Sequence, residues 1–95
     1  MKEITNQEIA QLREKTTELK KAIKKLLPGK ELHFMIGFME SDTFNFYFTT
    51  FYLSPNRAKN FATEVRYDRL SRETVDEIAN DVCKAIERHC RRCGL

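Results

Sequence analysis

Along the first third of the chain, Ile9, Leu12, Thr16, Leu19, Ile23 and Leu26 recur at alternating intervals of three and four residues. That spacing puts them in one stripe on one side of a helix. Thr5-Asn6-Gln7-Glu8 carries capping-box spacing at its start, Ile4 is placed to staple onto Ile9, and Pro28-Gly29 ends the pattern. The spacing therefore predicts a helix to about Leu27. Three heptads with a threonine in the middle are short for a coiled-coil seam, so the stripe is read as packing on a sheet.

After the Pro-Gly break the period changes to two. Leu32, Phe34, Ile36 and Phe38 alternate with His33, Met35, Gly37 and Met39, which predicts a strand. The polar tetrad Glu40-Ser41-Asp42-Thr43 then turns the chain into a second strand over residues 44 to 53, giving a hairpin. This second strand holds six of the ten aromatic residues of the chain, on both parities. Successive side chains of a strand point to opposite sides of a sheet, so both faces here need cover.

Residues 54 to 67 carry two competing patterns. Ser54-Pro55 resembles a helix start, and Ala58, Phe61, Ala62 and Val65 have helical spacing. Phe61, Thr63, Val65 and Tyr67 also alternate with Ala62, Glu64 and Arg66, in a set rich in β-branched and aromatic residues. The second pattern is preferred and predicts a third strand, with Ser54-Pro55-Asn56-Arg57 as its turn. A final helix follows, with Ser71 as N-cap, Leu70 stapled onto Val75, and Val75, Ile78, Ala79, Val82, Cys83, Ile86 and Cys90 on one face to about Arg92.

The expected architecture is α+β: one domain over residues 1–95, in the order α-β-β-β-α, a three-stranded antiparallel meander with two helices packed on one face. Leu32, Phe34, Ile36, Phe38, Phe44, Phe46, Phe48, Phe61 and Val65 would meet the helices, each large buried side chain contributing roughly 1.5 to 3 kcal/mol. The opposite face would carry Met35, Met39, Tyr47, Thr49, Phe51 and Leu53, with His33, Asn45, Glu64 and Arg66 around them. Its composition, rich in aromatics, Met and Arg, is that of interface cores. Met35, Met39, Tyr47, Phe51, Leu53 and Arg66 are accordingly the candidate partner-binding residues, for a second copy in a homodimer or for a target protein.

Charge adds a second candidate surface. A third of the 95 residues are charged and the net charge is +3, which suits a folded domain rather than a disordered one. Lys20, Lys21, Lys24 and Lys25 cluster on the first helix, and Arg88, Arg91 and Arg92, with Lys84, near the C-terminus. These are the candidate residues of an alternative nucleic-acid-binding role, provided they converge with Arg57, Lys59, Arg66 or Arg69. Their placement late in each helix also complements the helix dipole.

The order of elements resembles that of the double-stranded-RNA-binding domain, over nearly the whole chain. The resemblance is one of topology: that family opens its second helix with a basic cluster, where this chain has Arg72-Glu73-Thr74-Val75-Asp76-Glu77. Its glycine-rich approach is replaced by Tyr67-Asp68-Arg69-Leu70-Ser71, so the chain is not assigned to it.

Catalytic and metal chemistry find little in the sequence. His33 and His89 lie on different elements with no carboxylate or nucleophile at a defining spacing. Cys83 and Cys90 stand two helical turns apart, roughly 10 Å, too far for one tetrahedral zinc ion. An odd number of cysteines, Cys83, Cys90 and Cys93, crowded near one end points to reduced thiols. Gly29, Gly37 and Gly94 are isolated, so there is no phosphate loop. No apolar run reaches the length of a membrane span. The expectation is a cytoplasmic, non-enzymatic interaction protein, a small regulator or inhibitor, without cofactor or metal.

Overall fold

The Thr5 hydroxyl accepts the Glu8 backbone N–H at 3.1 Å and opens helix α1, Asn6–Leu26, as the capping spacing predicts. The computed structural model describes residues 5–40 and 44–94, with 38–40, 44 and 45 described by backbone alone. The Ile4 staple, the Ser41-Asp42-Thr43 turn and the side chains of Phe38, Met39, Phe44 and Asn45 lie outside the described set. Leu12, Thr16, Leu19 and Ile23 are buried. The stripe leaves the core at its last member: Leu26 is 47% exposed and Leu27 is 4% exposed. Helical geometry stops at Leu27, whose φ of −124° turns the chain inward one residue later than the periodicity implies.

Strands β1, Glu31–Glu40, and β2, Phe44–Leu53, pair antiparallel from Glu31 opposite Leu53 to Glu40 opposite Phe44. Strand β3, Phe61–Arg66, pairs with β2 on its other side, so the sheet order is β1-β2-β3. The strand pattern defeats the helical one for a visible reason. Phe61, Thr63 and Val65 turn inward while Ala62, Glu64 and Arg66 are exposed, whereas a helix would have needed the exposed Ala58 and Ala62 inside. The turn before β3 is longer than the expected four residues. It contains a single 3₁₀ turn, Arg57–Lys59, and is tied by two asparagines: Asn56 accepts the Ala58 N–H at 3.1 Å and Asn60 the Ser54 N–H at 2.8 Å.

The largest difference from expectation lies between β3 and the last helix. β3 stops at Arg66, and Tyr67–Arg72 form a short helix α2, followed by α3, Val75–Cys93. Ser71 is therefore inside α2, its hydroxyl donating to the Asp68 carbonyl at 3.0 Å, and is not the N-cap of the long helix. That role belongs to Thr74, whose hydroxyl accepts the Glu77 N–H at 3.1 Å. Leu70, fully buried, explains the extra element: α2 exists to drive this side chain into the core. At the other end of α3, Gly94 caps in the left-handed conformation with φ 69°, its N–H directed at the Arg91 and Cys90 carbonyls.

The helices cover one face of the sheet. Phe46, Phe48, Tyr52 and Val65 form one core with Leu12, Leu19 and Ile23 of α1 and Ile78, Val82, Cys83, Ile86 and Cys90 of α3. The Cα atoms span only 16 Å in their thinnest direction, which holds one sheet and one helical layer. α1 and α3 run in the same direction. At one end the Tyr67 hydroxyl donates to Glu8 at 2.9 Å and Lys15 donates to the Leu70 and Glu73 carbonyls. At the other end Lys30 and His89 both reach Tyr52.

Candidate interaction face

β2 is apolar on both parities, and the structure divides its side chains between two environments. Phe46, Phe48, Thr50 and Tyr52 face the helices and are at most 4% exposed. Tyr47, Thr49, Phe51 and Leu53 face away from them. Around these four, His33, Met35 and Gly37 of β1 stand opposite Phe51, Thr49 and Tyr47. Ala62, Glu64 and Arg66 of β3 stand opposite the same three from the other side. No helix or loop among the described residues covers this face.

The strands themselves give the aromatic rings partial shelter. Gly37, opposite Tyr47, has no side chain, and a Cβ built there would meet Tyr47 Cδ2 at 3.5 Å, so the ring lies against the β1 backbone. From the other side the Arg66 guanidinium sits 5.9 Å from the Tyr47 ring centroid, held by the Glu64 carboxylate at 3.0 Å. Thr49, in the middle, is 7% exposed; Tyr47, Phe51 and Leu53 are half-buried; Met35, nearer the margin, is 53% exposed. Of the expected partner-binding residues, Met35, Tyr47, Phe51, Leu53 and Arg66 thus share one face. Met39 is on β1 with its side chain outside the described set.

Comparison with known proteins finds no matching family model, curated protein or solved structure.

The basic clusters take different places. Both occupy the end of the molecule where α1 and α3 finish, but Lys24 lies over Phe34 of β1, 5.7 Å from its ring, while Arg88 lines a cleft with Thr63 and Val65 of β3. Arg69 and Lys84 line the same cleft as Arg88, and Lys59 reaches the Cys93 carbonyl at the end of α3. Lys20 is half-buried and Lys21, Lys24, Lys25, Arg88, Arg91 and Arg92 are exposed. Arg69 is engaged, bonded to Glu73 at 2.7 Å and to Asp81. It holds the Glu73 carboxyl below the usual carboxylate range by direct hydrogen bonding.

Sequence reading sets His89 aside, yet it is a hub of the helix-side core margin. Its Nε2 bonds to the Lys59 carbonyl at 2.6 Å, and because a carbonyl can only accept, that nitrogen carries a proton. Its ring stacks on Phe61 with centroids 4.7 Å apart and meets Tyr52 edge-on at 6.2 Å. Lys59 donates in return to the Cys93 carbonyl at 2.8 Å. These contacts pin the turn before β3 to the end of α3, and the signal for them is tertiary, since residues 59 and 89 are remote in the chain. Cys93 Sγ lies 3.8 Å from His89 Nε2, Cys83 and Cys90 are buried, and burial pushes the Cys83 thiol up to about 11. His33 is on the opposite side of the sheet, beside Glu31 at 3.5 Å. Among the described residues no group of three or more His, Cys, Asp or Glu side chains is placed to hold a metal ion. No described helix is long and apolar enough to cross a membrane.

Proposed function

We propose that the chain is a non-enzymatic protein-interaction module, a small regulator or inhibitor, whose open sheet face is the surface on which a partner protein sits. The observation that carries this reading is that Tyr47, Phe51, Leu53 and Met35 share a face that none of the described helices covers. Apolar surface of this kind in a monomer is characteristic of contact sites, and an aromatic-Met cluster bordered by Arg66, Glu64 and His33 has the layout of an apolar centre with a polar rim. The nucleic-acid alternative is less well supported, since its basic residues sit late in α1 and α3, where the helix dipole already accounts for them.

The test uses Phe51→Glu and Tyr47→Lys, both on the open face and outside the helix-side core. Immobilised wild-type protein should retain a defined partner from its native extract that both variants lose, with thermal stability essentially preserved. Retention of the same proteins by wild type and both variants would refute the assignment.

A further inference from the structure

We propose that the outer edge of β1 is a self-association site, at which β1 of a second copy pairs antiparallel to make a continuous six-stranded sheet. This goes beyond the open-face reading: the site is the backbone edge of the sheet, whereas the partner surface is its face.

β1 is a margin of the sheet. All ten of its residues pair with β2 on one side, and no described strand pairs on the other. In an antiparallel ladder alternate residues direct their N–H and C=O groups to either neighbour, so about five residues of β1 offer theirs outward. Exposed edges are ordinarily guarded by shortness, bulges, proline or lysine. β1 has none of these between Glu31 and Glu40: its pairing register is uninterrupted, and its acidic residues stand only at the two ends. β3, the other margin, has six residues, an exposed Glu64 and Arg66, and the charged cleft of Arg69, Lys84 and Arg88 beside it.

The side chains of β1 show the same incompleteness. On the helix side Leu32, Phe34 and Ile36 are only half-buried, although their neighbours Tyr52 and Phe48 on β2 are fully inside. The apolar row therefore runs on past the helical layer: Phe34 stacks on Phe48 with centroids 5.7 Å apart, and Lys24 lies over its ring. On the other face Met35 is 53% exposed. An added strand must bring apolar residues on both of its faces, and β1 is itself such a strand.

Self-pairing is compatible with its register. With Met35 on a two-fold axis, Phe34 stands opposite Ile36 of the copy, His33 opposite Gly37, and residue 30, a lysine, opposite residue 40, a glutamate. No like charges are opposed. The dimer would set two helical layers side by side and extend each copy's Leu32, Phe34 and Ile36 row into the other's.

Light scattering across a concentration series should give twice the chain mass for the wild type. Met35→Lys, at an exposed position, sets two ammonium groups facing each other at the axis and should weaken the dimer by at least about tenfold. Phe51→Glu, on β2, should leave it intact, which separates this site from the open face. Amide exchange on wild type gives an independent reading: the β1 amides directed away from β2 should gain protection as the dimer forms. A monomer at every concentration would overturn the proposal. So would a dimer lost with Phe51→Glu and kept with Met35→Lys, or a dimer whose outward β1 amides exchange freely.

Discussion

Thr50 offers a sharp test of the core. It lies on the helix side of β2, opposite Phe34 on one neighbour and Thr63 on the other, and is 0% exposed. Its hydroxyl has no hydrogen-bond partner among the described residues. A buried polar group left unpaired costs about 1 to 3 kcal/mol. Valine has the same branching at Cβ and nearly the same shape, so Thr50→Val removes that cost without a cavity or a change of rotamer class. The added methyl group, buried against the Phe34 and Phe48 layer, contributes up to about 0.8 kcal/mol more. The expected outcome is a gain of at least about 1 kcal/mol, seen in urea unfolding as a higher midpoint with unchanged slope. At about 4 to 8 °C per kcal/mol for a domain of this size, the melting temperature should rise by at least about 4 °C. Thr16→Val is the control. Thr16 is equally buried, but its hydroxyl donates to the Arg13 carbonyl at 2.8 Å, so the same substitution there should cost about 0.5 to 1.5 kcal/mol. A Thr50→Val protein that is no more stable than wild type would refute the reasoning.

Other consequences follow from the same geometry. Thr74→Ala should destabilise by about 1 kcal/mol in urea unfolding through loss of the α3 cap, while Ser71→Ala should fall within about 0.5 kcal/mol of wild type. Leu70→Ala should cost about 2 to 5 kcal/mol, since it empties the site that α2 fills. Glu73 has a folded pKa below its unfolded one, so its contribution is present above the ordinary carboxylate range and is lost as pH falls through the lowered value. Glu73→Gln should therefore flatten the stability profile below about pH 4, measured by unfolding at a series of pH values. Native alkylation at neutral pH, read by mass spectrometry, should modify the half-exposed Cys93 and spare the buried Cys83 and Cys90 until the protein unfolds.

Much of the architecture is legible in the chain because it depends on near neighbours. The Thr5 cap, the alternation of β1, the strand nature of residues 61 to 66 and the division of β2 between two faces are each properties of residues within a few positions of one another. Tyr47, Phe51 and Met35 were readable as sharing a face for the same reason, since strand parity is local once the hairpin is granted. The misreadings fall where two local signals compete. Ser71 and Thr74 both satisfy helix-start chemistry, and Leu70 determines the outcome because it packs into a core built by distant residues.

Sequence periodicity is enough to define two amphipathic helices, three strands and a strand with two apolar sides, since backbone geometry and side-chain direction repeat with fixed periods. Distances between remote elements account for the rest. They bring His89 to Lys59 and Phe61, set Lys24 over Phe34 and Arg88 beside β3, and leave β1 as an unguarded margin with its inner row half covered. No pattern along β1 says which of its sides lacks a neighbour, because that depends on where the other strands pack and how far the helical layer reaches.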